Sequence, residues 1–66
     1  MKYQVTIYNA ENKYRPISTI IDLNTDDKKT IIIEGVKKIC VKRFWTGADL
    51  KKWGYTKAKY RKYTEE

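Results

Sequence analysis

Residues 46–63 read TGADLKKWGYTKAKYRKY, and the fold depends on how this stretch is divided. Thr46 is a good N-cap residue. Asp49, three positions later, occupies the capping-box position, with a charge suited to a helix N-terminus. The spacing predicts a short helix over 47–53. Gly54 then stands where a left-handed residue closes a helix. Thr56 can cap a further helix from Lys57 to about Tyr63. Tyr60 and Tyr63 would face inward there, leaving Lys57, Ala58, Arg61 and Lys62 outward.

Working back from this segment, Val36, Ile39, Cys40 and Phe44 fall at i, i+3, i+4 and i+8, which predicts another helix face. A strand from Ile39 to Trp45 competes, supported by β-branched Ile39 and Val41; the longer periodicity favours helix. Before Gly35 the pattern is that of strands. Tyr3, Val5 and Ile7 alternate with Gln4, Thr6 and Tyr8. Residues 9–13 read as a turn and Ile17 to Leu23 as a second strand. Pro16 stands at its start, where a missing N–H does no harm. Asn24 to Lys29 read as a polar turn, in which Asp26 and Asp27 are turn formers. Thr30 to Glu34 read as a third strand. The expected fold class is α+β in a single domain. An antiparallel three-stranded meander over residues 1–34 would be followed by a basic segment over 35–66, with two or three short helices packed on one face.

Sixty-six residues leave a thin margin of stability. Cys40 is the lone cysteine and there is no histidine, so neither an internal disulfide nor a cysteine- or histidine-rich metal site can supply it. Nine aromatics must therefore carry much of the packing. On this reading Cys40, Trp45, Trp53, Tyr60 and Tyr63 are core residues. Tyr3, Tyr8 and Tyr14 are open to either role: on an exposed sheet face they could stack on unpaired bases. The sequence shows no signal-peptide pattern and no apolar run near membrane-spanning length. A lone cysteine fits a reducing compartment, so a cytoplasmic protein is expected. No Cys–His pair, Gly-rich phosphate loop or tight carboxylate cluster points to catalysis. We expect no enzyme activity, metal or cofactor.

Charge is the most informative global feature. The net charge is +7, and it is unevenly placed: residues 1–33 hold five basic and four acidic side chains, residues 34–66 ten and four. Such asymmetry points to a polyanionic partner.

The string Leu50, Trp53, Gly54, Tyr55, Thr56, Tyr60, Tyr63 resembles a generic helix-turn-helix. It departs from the pattern in carrying Leu50 where a small residue is usual, and in a first helix about one residue short. The resemblance implies a second helix whose outward cations meet phosphates in a major groove. Lys57, Arg61 and Lys62 would be the principal nucleic-acid contacts, with Lys51, Lys52 and Lys59 in support. A longer string, from Ile39, Cys40 and Arg43 through Trp45, Thr46 and Asp49 to Lys59 and Arg61, together with the opening Val5 to Tyr8 and Pro16 to Ser18, is similar to small uncharacterised phage and prophage proteins of Gram-positive bacteria. That likeness implies a mobile-element protein and carries no site residues with it. The expected function is therefore nucleic-acid binding, to DNA before RNA. The alternative is an interaction module that binds an acidic host protein. Neither reading involves a membrane, and both leave a homodimer open.

Overall fold

The computed structural model describes residues 1–64. The elements are β1 (Lys2–Tyr8), β2 (Ile17–Asp22), α1 (Lys28–Arg43), α2 (Gly47–Lys52) and β3 (Lys57–Lys62). The fold is α+β, with a three-stranded antiparallel sheet in the order β2-β1-β3. Tyr3 pairs with Ile21 on one side and Lys62 on the other; Val5 pairs with Thr19 and Tyr60. Pro16 immediately precedes β2, an edge strand, as its missing donor requires.

Strand alternation sorts β1 into two faces. Tyr3, Val5 and Ile7 point under α1 and are buried, joined there by Ile21, Ile31 and Ile39. α1 lies across β1 and β2, with lighter contact to β3. The close fit depends on Gly35, since a methyl built there would overlap all three side-chain carbons of Val5. The glycine lets α1 settle onto the central strand. Tyr3 adds an edge-on contact with Tyr60, centroids 6.0 Å apart, and its hydroxyl donates to the Thr25 carbonyl at 2.8 Å. Burial, with lesser contributions from Asp26 and Tyr60, pushes the Tyr3 phenol above its ordinary pKa.

Several expectations are corrected. Thr30 to Glu34 is not a strand but part of the first turns of α1. Asp27 is the N-cap, accepting from the Thr30 N–H at 3.1 Å and from the Thr30 hydroxyl at 2.7 Å. The inward stripe Ile31, Gly35, Ile39 runs through the glycine at i, i+4, i+8, so the three isoleucines belong to a helix whose apolar residues lie on more than one side. The expected helix over 36–44 is present as the later part of α1. The boundary expected at residue 34, between a meander and a helical segment, falls inside α1.

The second correction concerns the C-terminal segment. α2 and its cap are as expected: Thr46 and Asp49 form a reciprocal capping box, with the Thr46 N–H donating to Asp49 Oδ2 at 2.8 Å. Gly54 has φ +73°, and the Tyr55 N–H returns to the Leu50 carbonyl at 2.9 Å. Beyond it the chain is extended, so the described residues hold no third helix and no helix-turn-helix. The third strand of the sheet is supplied here instead. In residues 57–62 inward Ala58 and Tyr60 alternate with Lys57, Lys59 and Arg61, a period-two pattern that completes the free edge of β1.

The tryptophans are not central core residues. Trp53 is 38 % exposed and Trp45 half-buried. They join Tyr14 and Tyr55 in a peripheral cluster: Tyr14 meets Trp53 edge-on at 5.4 Å, and Trp45 lies 5.9 Å from Tyr55. Tyr63 and Cys40, also expected in the core, are half-buried. Buried Asn9 ties the cluster to the sheet, its Nδ2 donating to the Trp53 carbonyl at 2.9 Å and its Oδ1 accepting from the Glu11 N–H at 2.8 Å.

Candidate nucleic-acid interface

Both helices leave one face of the sheet open. Its residues are those that alternate with the core positions: Lys2, Gln4, Thr6 and Tyr8 on β1, Ser18, Ile20 and Asp22 on β2, and Lys57, Lys59 and Arg61 on β3. Every outward position of β3 is a cation. At two strand residues per step, their Cα atoms stand about 7 Å apart, close to two phosphates' worth of axial rise along one strand of a duplex.

The open face is organised by its own polar contacts. Arg61 Nε donates to Gln4 Oε1 at 2.6 Å, which spreads the guanidinium across the sheet toward β1. Thr6 and Ser18 share a hydroxyl hydrogen bond of 2.8 Å across the β1–β2 pair. The Lys59 ammonium stands 5.6 Å from the Tyr8 ring centroid. Gln4, Thr6, Lys59 and Arg61 line a shallow depression of about 360 Å³. Among the described residues the one acid of this face, Asp22, lies on the far edge strand, where the α-amino group of Met1 pairs with it at 3.1 Å. The charge on the face therefore increases from β2 to β3.

The six expected contact residues divide three ways. Lys57, Lys59 and Arg61 come together on the open face. Lys62 is exposed but lies opposite Tyr3, on the other side of the strand alternation. Lys51 and Lys52 lie on exposed positions of α2 and join Lys13 around a second hollow of about 350 Å³, reached from Thr56. This hollow sits at the end of the sheet where β3 begins. Lys52 also rests 5.8 Å from the Trp53 ring.

Sequence reasoning missed Gln4, Thr6 and Tyr8 as surface partners of these cations. Their alternation with Tyr3, Val5 and Ile7 was visible, but the face opposite the core could not be joined to β3 without knowing that β3 is a strand. Among the described residues, no group of His, Cys, Asp and Glu comes together that could hold a metal ion, and no helix is long and apolar enough to cross a membrane. Comparison with known proteins returns no matching family model, no matching curated protein and no matching solved structure.

Proposed function

We propose that this chain is a small nucleic-acid-binding protein that lays the open face of its sheet, β3 foremost, on duplex DNA. The observation that carries the reading is the row Lys57, Lys59, Arg61: three cations in register on an uncovered face, beside a strand of amide and hydroxyl groups. A major groove admits a two-stranded β-ribbon, and the β1–β3 pair is such a ribbon. In this arrangement Lys57 and Lys59 meet phosphates. Arg61, held by Gln4 through its Nε, keeps its two terminal nitrogens as donors for a guanine edge. Lys51 and Lys52 extend the positive surface past the start of β3 and add phosphate contacts, while Lys13 beside them is paired with Glu11 at 3.0 Å. The same lysines also protect an edge strand from pairing with other chains, and that protection is maintained while the face is free. The view that the protein belongs to a mobile element rests on the sequence likeness alone.

Fluorescence anisotropy with a labelled random duplex tests the proposal. Binding at about 50 mM salt that weakens steeply by about 200 mM is expected, because neutralised phosphates release counterions. Absence of binding at about 50 mM salt would remove DNA as the partner. Preference for an unpaired strand over the duplex would shift the reading toward base stacking on Tyr8.

A further inference from the structure

α1 is apolar on two sides, and the sheet covers only one of them. Ile31, Gly35 and Ile39 face the sheet, while Ile33, Val36, Cys40, Val41 and Phe44 lie on the other side of the helix. Phe44 is 94 % exposed, Val41 76 % and Ile33 52 %. An apolar stripe on a helix ordinarily faces a packed surface rather than water. Val36, Cys40, Val41 and Phe44 of this stripe form one wall of a groove of about 680 Å³, and Trp45, Gly47 and Leu50, at and just before α2, form the other. Its length along α1, from Val36 to Phe44, is about 12 Å, or two helical turns, with exposed Ile33 one turn further toward the start of the helix.

Phe44 supplies a second, independent observation. It closes α1 in the left-handed conformation, φ 57° and ψ 36°, with the Trp45 N–H returning to the Cys40 carbonyl at 2.8 Å. Glycine ordinarily takes this position, and a bulky side chain there is strained. The ring gains almost no cover within the chain in return. Backbone strain of this kind is characteristic of residues held in place for a partner.

The charges around the groove decide what occupies it. α1 carries six basic side chains against Glu34 alone, and α2 carries Lys51 and Lys52 against Asp49. Asp49 is engaged in the capping box and Glu34 stands 3.7 Å from Lys37, which leaves five basic side chains of α1 outside that pair. Lys37 lines the groove itself, and Arg43 stacks 5.3 Å over Trp45 at its end. A second copy of this chain would set one basic helix against another. We propose that the groove receives an acidic amphipathic helix of a different protein, with three or four apolar anchors spaced at i, i+3 or i+4, and i+7 meeting Val41 and Phe44 in the groove and Ile33 beyond its end. This site lies on the side of α1 away from the sheet and does not depend on the DNA reading.

The test uses the full chain and a helical 18-residue peptide with Leu at the anchor positions and Glu on the flanks. Two controls accompany it: one with Ala for Leu, the other with Lys for Glu. Calorimetry is expected to show the first peptide binding with a Kd below about 1 mM and each control binding at least about tenfold more weakly. Phe44→Gly should melt no lower than the parent, since it relieves the left-handed strain, yet lose at least about tenfold in peptide affinity. Val41→Asp, at an exposed position, should do the same to binding. Both variants should keep the parent's behaviour toward duplex DNA. The proposal is overturned if the acidic peptide fails to bind below about 1 mM, if the Ala control binds equally, or if Phe44→Gly binds as the parent does. Sedimentation showing a dimer that Phe44→Gly abolishes would also overturn it, by assigning the groove to a second copy.

Discussion

The two faces of the sheet are built from the same three strands by alternate residues, and they differ in almost every property. The inner face, with Tyr3, Val5, Ile7, Ile21 and Tyr60, is apolar and packs under α1. The outer face, with Gln4, Thr6, Ser18, Lys57, Lys59 and Arg61, is polar and uncovered. Adjacent residues of one strand thus serve different ends. In so small a chain the inner face cannot be spared for binding, because its few large side chains are most of the core. Function must use what the pleat turns outward, and substitutions on the two faces should separate stability from binding.

The largest contrast lies between neighbours on β1. Ile7→Ala should lose about 2–5 kcal/mol, much of what such a domain has, and chemical denaturation will measure it. Thr6→Ala, one residue away, removes an exposed cross-strand hydroxyl pair and should cost about 0.2–1 kcal/mol. Comparable losses at the two positions would mean that the outer face is also covered.

Gly35→Ala sharpens the same point from the helix side. A methyl added in a helix interior ordinarily helps by about 1 kcal/mol. Here it meets Val5, and the overpacking should outweigh that gain, for a net loss of about 1–2 kcal/mol in the same denaturation experiment. A stabilised variant would show that α1 rides higher on β1 than described.

A smaller effect is expected at the start of α1. Hydrogen bonds from Thr30 hold the Asp27 carboxyl below its ordinary pKa. Its contribution is therefore present in full above the unfolded value of about 3.9. It is lost as the pH falls through the lower folded value, because the unfolded chain binds the proton more readily. Asp27→Asn should flatten the pH dependence of the melting temperature below about pH 4 and leave open-face binding unchanged. An unaltered acid limb would assign acid sensitivity to other carboxylates.

The local chemistry of this fold was legible, and the long-range pairing was not. Thr46 with Asp49, Gly54 at its positive φ, and the alternation of β1 are read from a few neighbouring residues, and the structure bears each out. β3 could not be read in this way. In residues 57–63, Ala58 and Tyr60 support a strand as well as Tyr60 and Tyr63 support a helix. What decides the matter is the free edge of β1, which pairs from Tyr8 with Lys57 to Tyr3 with Lys62 and so lies far away in the chain. The error carried into the candidate site. A helix would group Lys57, Arg61 and Lys62, whereas the strand groups Lys57, Lys59 and Arg61 and turns Lys62 to the other side. The start of α1 was missed because Ile31, Ile32 and Ile33 are β-branched. Asp27, three residues before Thr30, was the available signal for a cap.

The central claim is that the cations of β3, rather than positive charge in general, bind DNA. The most direct measurement compares two variants that remove equal charge from opposite sides of the sheet: Lys57, Lys59 and Arg61 to Ala, and Lys28, Lys29 and Lys42 to Ala. Duplex affinity is followed by anisotropy from about 50 to 200 mM salt. The β3 variant should melt near the parent and flatten the slope of log K against log salt by about 2–3, while the α1 variant should change that slope by less than about 1. Equal flattening in the two would make the attraction diffuse and contradict the assignment of the open face as the DNA-binding surface.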